Sequence, residues 1–552
     1  MACAWLTPSC WTLSLPFVLE RRNASFATGA KIGVKDLIDW LFAFSPILVV
    51  LVLMLGFRWG GMKAGPVGWL VAMLVAVAYF GAGLELLLYS QLKALLLTLF
   101  VLYIIWMALF FYHTVDEAGA VDVIGLALPR LTANRALQVL LVGWVFSAFL
   151  QGAGGFGVPV AVTAPLLVGL GFPRLAAVVI PSLGHGWAVT FGSLGSSFYA
   201  LIAATGQSGA DLAPWSAVML GFCCLICGAA VLWAAGGRRA LRDGWVPMLI
   251  IGVGMASVQY VVVVNGFWSL GSLCAGLAGL AFCLLLFRLP RFQGSAEQRA
   301  AVRAQPLSIP LPLALAPYVI LMLVIIGGQL VGPVKTVLGQ VVIRAEFPEL
   351  STSQGWVTPA GTGRTINVFG HAGALLFYAS IFSFLLLLWK RHYRPGAMKR
   401  IVDNTVRRAL RSSIGVATMV GMAVVMQHAG MTRTLAEGVA ATFGSVYPLI
   451  SPFIGALGAF ITGSNTNSNV VFGPFQQDAA RLLGLNEFII LAAQTAGGAI
   501  GSTFAPAKII VGASTVGLGG AEGPVLKKVM IYGTVLVALI GLATGLAIAW
   551  VG

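Results

Sequence analysis

Two stretches far apart in this chain read alike: QGAGGFGVPVAV from Gln151 and TGSNTNSNVVFGPF from Thr462, each a glycine- and amide-rich interruption of strongly apolar sequence. In lipid, backbone that leaves the helix finds no water for its N–H and C=O groups, so it must find partners in protein, in a wet cavity or in a ligand. Two such breaks inside apolar sequence restrict the chain to a helical membrane architecture with a cavity at the breaks. That is the organisation of a transporter.

Apolar runs of about 20 residues, the length that crosses roughly 30 Å of hydrocarbon, recur from Leu41 to Trp550. Ordinary spans are predicted near 39–57, 64–80, 93–112, 215–235, 245–264, 268–287, 312–331, 371–389, 412–428 and 525–550. With the broken segments the count is about 11 to 13. The chain is 59% hydrophobic and 9% charged, a balance no soluble domain approaches. The fold class is therefore an all-α polytopic membrane protein. Residues 1–36 read as an N-terminal extension of open structure: an apolar run precedes Glu20, Arg21 and Arg22, without the basic start of a signal peptide. An extra amphipathic segment and an early start codon both fit it. Residues 37–552 read as one transmembrane transporter domain, with repeat 1 at about 37–235, connecting helices at about 236–311 and repeat 2 at about 312–552.

The formal charge of +16 invites a nucleic-acid reading, but the basic residues sit in short loops. Arg238, Arg239 and Arg242 fill one, Arg288, Arg291, Arg299 and Arg303 a second, and Lys390, Arg391, Arg394, Lys399, Arg400, Arg407, Arg408 and Arg411 a third. These loops are expected to be cytoplasmic, in an inner or plasma membrane, where they attract anionic lipid and no nucleic acid. Cys223, Cys224 and Cys227 lack a nearby histidine or second cysteine pair and read as small helix residues. His113, His185, His371, His392 and His428 are scattered, so no metal, cofactor or catalytic centre is expected.

Each break sits in the same context. Residues 135–150 lead into a tip at 152–157, 158–170 leave it, and a helix from Pro173 dissolves at GHGWAVTFGSLGSS. Residues 446–461 lead into a tip at 463–469, 470–483 leave it, and a helix from Glu487 dissolves at GGAIGSTFAP. At 1.5 Å per residue each arm reaches about 18 to 24 Å, short of a comfortable crossing. Re-entrant helical hairpins, each followed by a broken helix, fit better. Span parity leaves open whether the two repeats are inverted.

The second tip places Ser464, Asn465, Thr466, Asn467, Ser468 and Asn469 in succession. Neutral hydroxyls and amides donate and accept, and the N–H groups of the following half-helix add partial positive charge, so the tip suits a carboxylate or a cation. A polar solvent loop is the plainer alternative. In the first tip, Gly154, Gly155 and Gly157 let backbone approach a ligand, with Phe156 stiffening the exit; close helix packing through small residues competes.

QGAGGFGVPVAVTAPLLVGLGF, FGSLG at Phe191, GMTRTLAEGVAATFG from Gly430, and FITGSNTNSNVVFGPFQQDAARLLGL through AAQTAGGAIGSTFAPAKIIVGASTVGLGGAEG together resemble the L-lactate permease family, over residues 46–552. The resemblance implies proton-coupled symport of a 2-hydroxymonocarboxylate such as lactate or glycolate. It also implies an ion-transporter-like fold in which paired hairpin tips bind substrate and a hairpin-bearing domain slides, elevator fashion, against a scaffold. Thr495, Ser502 and Lys508 then join the tips as substrate-binding candidates. The family pattern has an acid where this chain has Gln151, an Asp-like residue at Asn465 and Asn at His185. With those acids absent, His185 and Glu522 become the proton-coupling candidates, a helix-bridging neutral histidine being the alternative for the first. The lysine usual at 502 is Ser502 here, and Lys508 stands where a small polar residue is usual. It would attract an anion, or snorkel to an interface.

Neutral oxygens suit sodium as well as substrate, so a sodium-coupled carrier of another small organic anion is the second reading. An integral-membrane enzyme or respiratory subunit is the third. Oligomeric state stays open, a homodimer included.

Overall fold

The computed structural model describes residues 34–57, 59–127, 132, 134–155, 157–289, 292, 309–518 and 522–551. Of the expected N-terminal extension, residues 1–33 lie outside the described residues, and the last three belong to the first helix. The helices in order are α1 (Val34–Leu55), α2 (Gly61–Ala78), α3 (Leu84–Glu117), α4 (Ala120–Ala127), α5 (Arg135–Ala153), α6 (Val158–Gly169), α7 (Arg174–Gly184), α8 (Ser196–Thr205), α9 (Gly209–Val264) and α10 (Gly271–Leu286). They continue with α11 (Leu311–Leu330), α12 (Gly332–Leu338), α13 (Ala372–Trp389), α14 (Ala397–His428), α15 (Met431–Phe443), α16 (Tyr447–Thr462), α17 (Asn465–Leu482), α18 (Glu487–Gly501), α19 (Pro506–Thr515) and α20 (Gly523–Val551). Among the described residues, 11 helices are long and apolar enough to cross a membrane, or 12 with the bent pair that ends in α19.

Burial sorts these helices into centre and periphery. All of the α5 window is buried, whereas 22% of that of α1 is. Leu74, Leu285, Leu323, Ile531 and Leu546 are exposed, as lipid-facing leucines and isoleucines of outer helices should be. Non-helical backbone at Gly236 and Gly237 folds α9 into two arms. The arms pack antiparallel, Gly221 near Ala256 and Gly228 near Met248. The sequence had separated the same two spans at the basic loop that begins with Arg238.

The order of elements runs twice, in opposite directions. α3 and α14 pack antiparallel along their whole lengths, with Lys93 Nζ 3.1 Å from His428 Nε2, Trp106 donating to Ser413 Oγ at 2.9 Å, and Arg400 2.7 Å from Glu117. After α3 come short α4, the hairpin α5–α6 and the broken helix α7–α8; after α14 come α15, the hairpin α16–α17 and the broken helix α18–α19. The first hairpin is closed at its base by Arg135, which donates to Gly171 O at 2.8 Å beside the start of α7. The base of the second is tied through Arg481 to Glu487, which accepts from Gln207 just past the end of α8. α7 and α8 form one candidate span, with the base of the first hairpin at its start and that of the second at its end. The halves are thus inverted, which span counting had not decided.

One connection departs from the all-helical expectation. Strands β1 (Val342–Ile343), β2 (Glu346–Phe347), β3 (Leu350–Ser351), β4 (Val357–Thr358), β5 (Gly361–Thr362) and β6 (Ile366–Asn367) pair as β1–β6, β2–β5 and β3–β4, all antiparallel. The registers Ile343↔Ile366, Phe347↔Gly361 and Leu350↔Thr358 make one long hairpin with a one-residue offset after β1. Its residues Phe347, Leu350 and Ile366 are buried among exposed neighbours. The hairpin lies along the first half of α3: Gly363 is against Leu96, and Tyr103 donates to Val368 O at 3.2 Å.

Candidate functional site

The first hairpin starts on Asn134, whose side chain accepts from the N–H groups of Ala136 and Leu137 and so caps α5. Its arms are joined inside by Ser147 and Thr163, 3.3 Å apart. At the tip Gly155 and Gly157 are left-handed, at φ 62° and 86°, and Gly154 lies on the ring of Tyr112. Phe156 lies outside the described residues. The tip abuts the break between α7 and α8, where Ser193, Leu194 and Gly195 are left-handed in succession (φ 47°, 56° and 81°). Two non-glycine residues in that region store on the order of 1–3 kcal/mol each, strain that clusters at working sites.

The second tip is tighter than the sequence suggested. Gly463, at φ 71°, ends α16 in a conformation only glycine adopts freely, and Ser464 caps α17 by accepting from Asn467 N–H at 3.4 Å. Residues 465–469 are therefore the first turn of a helix, and only Gly463 and Ser464 are irregular. The serine cap draws the amides into helix, and this gives them faces.

Asn465 and Asn469, four residues apart, project from one face. Asn465 Nδ2 donates to Thr190 Oγ1 at 3.2 Å and to Thr495 Oγ1 at 3.3 Å; Asn469 Nδ2 donates to Thr495 Oγ1 at 2.8 Å and to Ser197 O at 3.0 Å. Thr190 and Thr495 hydroxyls are 3.1 Å apart, as are those of Ser197 and Thr466. Thr190, Ser197, Asn465, Thr466, Asn469 and Thr495 thus form a neutral cage joining both broken helices and the second tip, with all six residues buried. The carbonyl oxygens of Asn465, Asn467 and Asn469, and that of Gln151 near the first tip, are buried without a donor in the protein. Unsatisfied acceptors call for an O–H donor or a cation.

The other candidates fall elsewhere. Ser468 turns into its own hairpin, donating to Gly455 O at 2.8 Å and accepting from Gln494, so it braces the arms. Lys508 Nζ donates to Ser502 Oγ at 3.1 Å, two helical turns from Thr495, about 10 Å along α18. His185 is fully buried at the end of α7, and the adjacent Gly186 lies against Ile500 and Thr503, so it stands nearer Ser502 than the cage. Glu522 is at the head of α20, its carbonyl accepting from Leu526 N–H, outside the hydrogen bonds that build the cage. Thr190 and Ser197 were missed as individuals, although both lie in the run GHGWAVTFGSLGSS that marked the first broken helix.

The model of the family described as L-lactate permease matches residues 39–551. The L-lactate permease of Bacillus subtilis is 29% identical over 93% of this chain and 96% of its own length. That of Salmonella typhimurium is 27% identical over 92% and 95%. The glycolate permease of Escherichia coli is 26% identical over 91% and 94%. These relatives are permeases and not enzymes. With its spanning helices and a family match running nearly end to end, the chain is a multi-pass cell-membrane protein that belongs to the L-lactate permease family.

Proposed function

We propose that this chain is a secondary carrier that imports lactate, glycolate or a similar 2-hydroxymonocarboxylate together with protons. The observation that carries the reading is the cage, where groups from two inverted halves converge on one buried, uncharged, hydrogen-bonding site. Its unpaired amide oxygens suit the hydroxyl of a 2-hydroxy acid, and the N–H groups that open α17 suit its carboxylate. In this reading residues 37–235 and 312–552 are the two repeats, both hairpins are re-entrant, the hairpin-bearing elements slide against the α3–α14 pair, and the basic loops face the cytoplasm.

Labelled L-lactate or glycolate should accumulate in membrane vesicles under an imposed proton gradient. Uptake that needs sodium and ignores pH would refute proton coupling. The second reading, sodium coupling, is favoured by the same unpaired oxygens of Asn465, Asn467, Asn469 and Gln151, which are the ligand type a hard cation takes.

Lys508 supplies a formal positive charge in the second broken helix in this reading. Lys508→Gln is expected to raise the KM for lactate about tenfold, because one cation attracts an anion about 10 Å away by roughly 1.7 kcal/mol at an effective dielectric constant of about 20. An unchanged KM would leave Lys508 as a snorkelling residue.

A further inference from the structure

Away from the cage, the long connection between α12 and α13 carries two buried donors without acceptors. Arg364 leaves β5 and lays its guanidinium over the Phe100 ring, 4.2 Å from the centroid. Its Nε is buried and has no hydrogen-bond partner, and none of the ion pairs among the described residues includes it. His371 meets the same ring edge-on at 4.5 Å and stacks on Tyr103 at 5.0 Å. Its Nδ1 accepts from Gly373 N–H at 3.2 Å to cap α13, which puts the imidazole proton on Nε2, and Nε2 too is buried without a partner. His371 is 6% exposed.

The protonation states support one another. Burial, and then the charge of Arg364, lower the His371 pKa to about 4, so at neutral pH it is an uncharged donor. Burial lowers the Arg364 pKa below its ordinary value, an opposing contribution coming from Tyr199, but a guanidinium stays charged. A desolvated cation with no ion-pair partner among the described residues is costly unless an anion completes it.

We propose that Arg364 and His371 form a carboxylate-binding site on the approach to the cage, which holds the monocarboxylate before it reaches the amides of α17. The site takes a small organic anion because it offers one cation and one neutral N–H around the Phe100 ring. Its route inward is short. Phe100 touches Tyr199 edge-on at 6.1 Å, and Tyr199 is two residues past Ser197 of the cage on α8. Arg364 is half-buried, so it is reachable from the face that bears the β-hairpin. The site deepens the carrier reading and rests on it for the identity of the anion.

Phenylglyoxal modification of the purified full chain tests the site, with the Arg364 peptide followed by mass spectrometry. Excess L-lactate should slow modification of Arg364 several-fold, and neutral lactamide should not. In vesicles, Arg364→Gln should raise the KM for lactate about tenfold with the maximal rate held within about twofold, and Arg364→Lys should recover part of the loss. Equal modification with and without lactate, equal protection by lactamide, or an unchanged KM in Arg364→Gln overturns the site. If Arg364→Gln fails to reach the membrane, protection in the unaltered chain decides. Lactate uptake without protection sinks the Arg364 site alone; protection without uptake keeps the anion site and sinks the carrier reading.

Discussion

His185→Gln is expected to abolish proton-driven accumulation of the substrate while leaving counterflow exchange measurable. The imidazole Nδ1 lies 2.6 Å from Pro181 O, one turn back on α7. A carbonyl only accepts, so Nδ1 holds the proton and Nε2 keeps a lone pair, buried and without a donor. That leaves Nε2 as the ring atom able to accept a proton, beside the second broken helix. Glutamine fills similar space and still donates and accepts hydrogen bonds, but it takes no proton. In the proton-coupled reading accumulation needs a proton carried each cycle, whereas exchange of labelled for unlabelled substrate does not. With one proton per substrate, a gradient of about two pH units supports roughly hundredfold accumulation, because each unit is worth about 1.36 kcal/mol. The variant should fall to simple equilibration. Full accumulation in the variant would remove His185 from the mechanism.

The second large effect is on the fold itself. Gly497→Ala should lower the yield of folded, membrane-inserted protein severely, because α16 and α18 cross with backbone against backbone at this residue. A methyl group on Gly497 would meet the carbonyl carbon of Pro452 at 2.6 Å and its Cα at 2.7 Å, and would overlap the carbonyl oxygen. Backbone cannot swing aside as a side-chain tip can, so the helices must part. Overpacking of this kind costs about 1–3 kcal/mol, and more where nothing gives. Asn465 is carried by the hairpin that α16 begins, and Thr495 is on α18, so parting these helices also pulls the cage open. Gly327→Ala is the control: its added methyl meets nothing within 4 Å, and alanine favours helix by up to about 1 kcal/mol. Thermal melting of the purified chain compares the two. A Gly497→Ala protein that melts with the unaltered one would contradict the close crossing.

Much of the architecture was legible because lipid punishes irregular backbone. The composition of QGAGGFGVPVAV and TGSNTNSNVVFGPF placed both hairpins, and the glycines at 184–195 and 497–501 placed both broken helices. The finer geometry was not legible, for reasons of different kinds. That the tip ends at Ser464 depends on a cap formed with Asn467, and the tip's amide composition reads the same in loop or helix. That Thr190 and Ser197 join Asn465 and Asn469 depends on contacts between residues more than 250 apart in the chain, which no local pattern reports. The direction of the second half follows from α3 packing against α14, again a long-range fact. The β-hairpin carries too few apolar residues to stand out beside spanning helices, and so Arg364 and His371 read as ordinary connection residues.

The neutrality of the cage has an electrical consequence. Moving one elementary charge through the membrane field costs or releases about 2.3 kcal/mol per 100 mV. Thr190, Ser197, Asn465, Thr466, Asn469 and Thr495 contribute no formal charge to any such movement. In the carrier reading the current of a transport cycle is therefore set by its cargo and by charged residues outside the cage, such as Lys508. With one monocarboxylate and one proton carried, that cargo is neutral, so any voltage dependence of the empty carrier would arise from charges outside the cage, Lys508 among them.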